Sequence, residues 1–447
     1  MPEGTELPKP TTTGFLTVAA VAGAGVAGGG DAEVEVDVEP LSAVRVGLSA
    51  VVTVVEARPA AREPDPQAAE TRTPRTATTR RMALRVRAAF TDAQYGTATV
   101  AFCRLELRSA ASHRARMRPM RALVLRDFSG PAGVVLEEVA PPDDGGDDGR
   151  DDGRTARIEV HAAGVSFADL LITRGEYQLR PALPFVPGLE VAGVLRQAPP
   201  GTGFAAGDRV AAFMFGGAFA EEARADPATM VRLPEKLGFP EGAGLVVNYH
   251  TAWFALARRA RLQPGETVLV QGAGGGLGVA VIQVARALGA RVVGVAGTEA
   301  KAAMAEAAGA DVVVTAGTGW ADAVRAATGP VDVVVDPVGG DRFDDSLRLL
   351  RPEGRLVVVG FAGGDIPRVK VNRLLLRNVS VLGAAWREFL AGEPGLVAEA
   401  AAALDALIAD GGLAPIVGAA YPLEDGVRAL QDLAERRAVG KLVLTVR

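Results

Sequence analysis

The stretch that decides the fold is Thr267-Val-Leu-Val-Gln-Gly272-Ala-Gly-Gly-Gly-Leu-Gly278-Val-Ala-Val-Ile-Gln-Val-Ala-Arg-Ala-Leu-Gly289. Residues 267–271 are short and apolar, which predicts a buried strand. After the glycines, Val281, Val284, Ala285 and Leu288 recur at helical spacing, and Gly289 stands where a helix end favours positive φ. Small residues between strand and helix allow a tight turn and let backbone N–H groups approach a pyrophosphate, whose charge a helix N-terminus favours. A glycine turn that only packs helix on strand is the alternative. The lengths of the flanking elements favour the dinucleotide reading.

Working downstream, strands are predicted over 291–295, 311–314, 331–335 and 355–360. A helix capped by Thr298 and ending near Gly309, and another over 341–350, lie between them. Strands and helices in series predict a doubly wound parallel sheet. Upstream of Asn248 the texture is different. Strands over 121–126, 134–139, 158–160 and 191–194, and a β-rich run from Gly207 to Val231, are joined by Gly/Pro-rich turns. They predict a small, mostly antiparallel β domain.

An acid at the end of the second parallel strand would bond a ribose 2′-hydroxyl and repel a 2′-phosphate. Here Val295 is followed by Ala296-Gly297-Thr298-Glu299-Ala300-Lys301, with no acid at the strand end and with Thr298 and Lys301 as phosphate donors. The pattern favours NADPH over NADH, with a solvated helix lysine as the other reading of Lys301.

The chain has 447 residues, a length that corresponds to about three domains. Glycine contributes 54 residues with no collagen period, and 49% apolar content argues against global disorder. No uninterrupted apolar stretch is long enough to predict a membrane span. One cysteine, Cys103, excludes a disulfide framework and a multi-thiolate metal site within one chain. The three histidines, His113, His161 and His250, form no HExxH motif, so no metal ligands are assigned. His161 falls in a predicted strand and reads as structural. Gly164-Val-Ser166-Phe-Ala168 narrowly misses a nucleophile elbow, lacking its final glycine and the strand-to-helix setting of a hydrolase, although Asp169 and His250 are available.

Residues 1–116 read as unrelated fragments and as a disordered extension or the product of a misplaced start, with Met117 or Met120 as the functional beginning. Residues 14–30 resemble a signal-peptide core without its basic flank. Residues 33–39 alternate acid and valine as one strand with no evident partner. Residues 71–118 carry 11 Arg against Asp92 and Glu106, a local +9 within an overall −5, which leaves the rest acidic and a poor nucleic-acid binder. The repeat at 143–154, DDGGDDGRDDGR, lacks calcium-loop spacing and reads as an expanded surface turn.

The motifs His161-Ala-Ala-Gly-Val-Ser-Phe-Ala-Asp-Leu-Leu, Leu183-Pro-Phe-Val-Pro-Gly-Leu-Glu-Val-Ala-Gly193, Asn248-Tyr-His-Thr-Ala252, the glycine loop and Asp336-Pro-Val-Gly-Gly340 occur in one order. In that order, across residues 120–447, the chain resembles the zinc-free quinone oxidoreductase (zeta-crystallin-like) branch of the medium-chain dehydrogenase/reductase superfamily. The resemblance implies an α/β protein in which a GroES-like β domain (117–245) is interrupted by a Rossmann domain (246–387) and completed by a C-terminal return (388–447). By resemblance, Gly272, Gly275, Gly276, Leu277, Gly278, Thr298 and Lys301 bind NADPH. Val338, Gly339, Gly360 and Phe361 line the nicotinamide, Tyr177 borders the acceptor, with a packed loop tyrosine as its other reading, and catalytic Ser166 stands where the family's side chain positions nicotinamide or acceptor. Zinc-dependent cousins carry a catalytic Cys where Ser166 stands and a His where Leu189 stands. Two departures are Ser166, where the family commonly has Asn, and Ala316, where some members place a Tyr.

These features predict hydride transfer from NADPH to a quinone or another α,β-unsaturated carbonyl, by orientation in a water-excluding cleft. The proton comes from Tyr177, Ser166 or solvent. An enoyl-thioester or alkenal reductase on the same scaffold is the nearest alternative, and a non-catalytic NADPH-binding or RNA-binding relative is the next. The expected partner is a small molecule, with no nucleic acid. A cytoplasmic homodimer joined through the Rossmann sheet edge is expected.

Overall fold

The computed structural model describes residues 118–142, 154–390, 392–393 and 395–447, together with the backbone of four short earlier strands. The chain divides into two units, Met1–Met117 and Arg118–Arg447. In the first, Ala32–Glu35 pairs antiparallel with Arg85–Ala88, so the strand read near residue 33 has a partner after all. Val44–Val46 pairs with Ala50–Val52. The other expectations for 1–116, including those on Cys103 and His113, lie outside the described residues, as does the repeat over 143–153.

In the second unit a six-stranded parallel sheet has the spatial order Val312–Thr315, Arg291–Ala296, Thr267–Gln271, Val331–Asp336, Leu350–Val358, Ser380–Gly383. Numbered along the chain, that is 3-2-1-4-5-6, with its crevice beside the first strand where the order reverses. Alternate side chains feed two cores. Val268, Val270, Val333 and Val335 join the core on the Gly276–Ala287 side, while Leu269, Val293, Val334 and Leu356 join the one holding Trp320 and Phe343. Both central strands, Thr267–Gln271 and Val331–Asp336, are buried along their whole length, as a sheet covered on both faces requires.

A second sheet runs Met230–Arg232, Arg209–Phe213, Glu190–Gln197, Ala156–Val165, Lys441–Thr445, Val417–Pro422, with Glu222–Ala225 also paired to Ala156–Val165. Its ladders are antiparallel except the last, Val417–Pro422 with Lys441–Thr445. The chain thus enters the parallel sheet from this one and returns to it at its C-terminus. At the return, Gly440 N–H donates to the Gly274 carbonyl at 2.8 Å, bonding the last strand to the glycine loop.

Besides Trp320–Thr328, Leu396–Ala409 and Gly426–Ala434, one further helix that the sequence did not predict bears on the site. Phe167–Arg174 follows directly on the strand Ala156–Val165, with Ser166 as its N-cap and Gly175 at φ 68° closing it. Ser166 therefore does sit at a strand-to-helix junction, although its strand belongs to the antiparallel sheet. Its Ser-x-x-Asp169 capping box is the signal that was available.

Candidate active site

The glycine loop is shaped by close approaches. A Cβ on Gly274 would stand 2.3 Å from the Lys301 carbonyl oxygen, and one on Gly278 would stand 2.3 Å from that of Gly272. On Gly276 it would lie 2.7 Å from Asn248 Nδ2 and 3.2 Å from Lys441 Cα. Gly275 differs, because its nearest neighbour to such an atom is the Gly272 oxygen at 3.4 Å. Gly275 also caps the helix Gly276–Ala287 without a side-chain acceptor, leaving first-turn N–H groups for an incoming anion. The loop thus fits a pyrophosphate on the side of Gly275 and Leu277.

Two turns at the carboxyl ends of neighbouring strands close the crevice. Asp336 Oδ1 accepts from Val338 N–H at 2.8 Å and from Gly339 N–H at 2.9 Å, while burial raises the pKa of this carboxyl. Ala362 and Gly363 N–H donate to the Pro337 and Val338 carbonyls at 3.0 and 2.8 Å. These bonds set Phe361 Cδ1 3.1 Å from where a Gly339 Cβ would be and Val338 Cγ2 3.1 Å from where a Gly272 Cβ would be. Val338, Gly339, Gly360 and Phe361 are therefore brought together beside the loop, with Phe361 partly exposed.

Thr298 caps the helix Glu299–Ala307, its hydroxyl accepting from Lys301 N–H at 3.3 Å. Lys301 Nζ donates to the Arg436 carbonyl at 2.8 Å, and burial together with Arg436 lowers its pKa. The ammonium is thus turned toward the C-terminal return, next to the loop. Ala316 is half-buried at the end of the next strand.

Ser166 Oγ lies 2.6 Å from Asp169 Oδ2. Asp169 is wholly buried, which raises its pKa to about 6 against the opposing bonds from Ser166 and the charge of Lys441. Tyr177 is half-buried under the Arg387 guanidinium, 4.9 Å from its ring centroid; burial raises the phenol, Arg387 opposes this, and Asp169 contributes to it. Beneath these groups Lys441 Nζ donates to Glu190 Oε2 at 2.8 Å, and Glu190 Oε1 accepts from Val247 N–H at 2.8 Å. The structure therefore gathers Ser166 and Tyr177 around Asp169. It adds Asp169, Glu190, Lys441 and Asn248 as structural members that the sequence reading left without a role.

The two described histidines take no part in these contacts. His161 stacks on Phe239 at 4.2 Å, and burial lowers its pKa. His250 is wholly buried, its pKa lowered by burial to about 3, with its ring edge-on to Trp386 at 5.7 Å. Among the described residues no group of three or more His, Cys, Asp or Glu is placed to hold a metal. The residues do not fit zinc: Ser166 is bonded to Asp169, Leu189 is buried, and Glu190 is committed to Lys441 and Val247.

Residues 152–252 match the family described as Alcohol dehydrogenase GroES-like domain, and residues 276–424 match that described as Zinc-binding dehydrogenase. Over 335 residues the chain is 38% identical to quinone oxidoreductase-like protein 2 of Rattus norvegicus, covering 74% of this chain and 93% of that protein. Among solved structures it is similar to a probable oxidoreductase from Mycobacterium abscessus, at 46% identity and TM-score 0.67 over 74% of this chain and 99% of that one. It is also similar to the quinone oxidoreductase of Thermus thermophilus, solved alone and in complex with NADPH, at 36% identity and TM-score 0.62 over 73% and 100%. The chain belongs to the quinone oxidoreductase branch of the medium-chain dehydrogenase/reductase superfamily.

Proposed function

We propose that this protein binds NADPH in the crevice at the carboxyl ends of the parallel strands and reduces a quinone or a related α,β-unsaturated carbonyl without a metal. One observation carries the reading: the uncapped helix start at Gly275 opens beside the interlocked Val338–Gly339 and Gly360–Phe361 turns. Bound NADPH supplies the hydride and both electrons. Gly272, Gly275, Gly276, Leu277 and Gly278 provide the pyrophosphate cradle, and Thr298 with Lys301 provides donors for the 2′-phosphate. Val338, Gly339, Gly360 and Phe361 form the wall for the nicotinamide, while Ser166 and Tyr177 border the acceptor. The NADPH complex of the Thermus relative supports the cofactor, and the poor fit of Ser166 and Leu189 to zinc supports the metal-free step. The protein's contribution is orientation and exclusion of water.

The strand exchange between the two sheets supports a division into 117–245, 246–387 and 388–447, the last returning to the first. A homodimer is proposed through the outer side of the parallel sheet. There Ile366, Val371, Leu375 and Leu376 are 72–77% exposed near the edge strand Ser380–Gly383, a patch that a monomer would leave in water. Rates of NADPH oxidation with 9,10-phenanthrenequinone and with an enoyl thioester test the substrate class. Faster turnover of the quinone is expected, and turnover of the thioester alone would replace this reading.

A further inference from the structure

The pair of Ser166 and Asp169 has the form of a helix cap: Asp169 Oδ2 accepts from Ser166 N–H at 2.8 Å and lies 2.6 Å from Ser166 Oγ. Three features set it apart from an ordinary cap. Asp169 is wholly buried, although capping carboxylates usually lie at the surface. Its Oδ1 is buried with no hydrogen-bond partner among the described residues, a cost that falls mainly on the charged form. Ser166 is only half-buried, so one end of the pair is not sealed from its surroundings.

The groups facing Asp169 complete the picture. Glu190 and Lys441 act on it from the strands on either side of Ala156–Val165, and Tyr177 lies within electrostatic reach from the loop after the helix Phe167–Arg174. With both carboxylates ionised the buried cluster of Asp169, Glu190 and Lys441 carries a net −1. With a proton on Asp169 it is neutral. In a dry interior the neutral arrangement is favoured, in keeping with the raised pKa of Asp169.

We infer that Asp169 stores a proton and delivers it through the Ser166 hydroxyl to the oxygen of the reduced acceptor. This rests on the proposed reductase reading. Hydride transfer leaves the acceptor oxygen negatively charged. Ser166 Oγ–H breaks as its proton bonds to that oxygen, and the Asp169 Oδ2–H proton replaces it at Oγ. Asp169 ends as a carboxylate and regains a proton from solvent by way of the open side of Ser166. Asp169 and Ser166 move protons only, so the electron balance is that of the hydride.

Two measurements on the full chain test this. In pH-difference infrared spectra of the cofactor-free protein, a carboxylic-acid C=O band titrating near pH 6 is expected, and Asp169→Asn should remove it. In turnover with 9,10-phenanthrenequinone, wild-type kcat should fall as pH rises above that value. Asp169→Asn and Ser166→Ala should each lower kcat roughly 10²-fold and flatten the profile, with the NADPH Kd within about twofold. Ser166→Thr, which keeps the hydroxyl and the cap, should restore most of kcat. Ser166→Ala, at a half-buried position, carries the same test if Asp169→Asn fails to fold. A band missing from wild type, a band unchanged in Asp169→Asn, or Ser166→Ala with wild-type kcat and pH profile would overturn the inference. Absence of quinone turnover by wild type with the band present would instead overturn the reductase reading, and with it the delivery step.

Discussion

Lys441 Nζ donates to Glu190 Oε2 at 2.8 Å, and the two side chains are 4% and 1% exposed. The residues are 251 positions apart in sequence. Their pairing joins the last strand of the chain to the strand Glu190–Gln197, directly under Gly276 of the glycine loop. Lys441→Met would leave the Glu190 carboxylate buried without its counter-charge, and we predict a loss of about 3–5 kcal/mol in chemical denaturation. The double variant Glu190→Leu/Lys441→Met should recover most of that loss, because the cost lies in the orphaned charge. Equal instability of the single and double variants would show that packing, not charge, is what the pair contributes.

Gly276 has no room for a side chain between Asn248 Nδ2 and Lys441 Cα. Gly276→Ala should therefore cost about 1–3 kcal/mol of stability and weaken NADPH binding about tenfold. Adding Asn248→Ala removes the nearest clash and should return part of both. Calorimetric titration of the two variants with NADPH checks this.

Lys301 is held by the Arg436 carbonyl, close to the loop and to Thr298. If it serves the 2′-phosphate, Lys301→Ala should raise the NADPH Kd about tenfold and leave the NADH Kd within about twofold. Equal weakening of both cofactors would instead make Lys301 a brace for the C-terminal return.

Asp169 also has a pH signature in stability. Its folded-state pKa, about 6, lies above the ordinary carboxylate value of 3.8, so the folded state binds this proton more tightly than the unfolded chain. The resulting stabilisation is fully present below the ordinary value and is lost as pH rises through about 6, with a span of about 3 kcal/mol. Urea denaturation of wild type against Asp169→Asn across that window should show a difference that shrinks and then reverses as pH rises. A constant difference would mean that Asp169 titrates normally.

The exposed residues Val371, Leu375 and Leu376 carry the dimer proposal. Leu375→Glu/Leu376→Glu should shift sedimentation from dimer to monomer while leaving the fold intact. A wild-type protein that sediments as a monomer at micromolar concentration would dispose of the interface.

The parallel sheet was legible because its central strands, covered on both faces, hold apolar runs such as Val268–Val270 and Val333–Val335, each followed by a glycine turn. The strand Leu350–Val358 begins earlier than its sequence suggests, because Arg351-Pro-Glu-Gly354 reads as a turn and Glu353 does adopt φ 64°. The helix Phe167–Arg174 escaped notice because eight residues give little periodicity, and its capping acid is Asp rather than the commoner Glu. Asp169 was visible only as a spare carboxylate, since its burial depends on neighbours that sequence spacing does not reveal. Nothing local marks Lys441 as the partner of Glu190, because an ion pair between distant strands leaves no pattern in either segment.

Metal-free NADPH-dependent quinone reduction is tested by NADPH oxidation with 9,10-phenanthrenequinone by the full-length protein, followed at 1:1 stoichiometry with and without a metal chelator. Turnover insensitive to the chelator is expected, with kcat/KM for NADPH at least about tenfold above that for NADH. Tight NADPH binding without turnover of any quinone or enone, or turnover abolished by the chelator and restored by zinc, would contradict it.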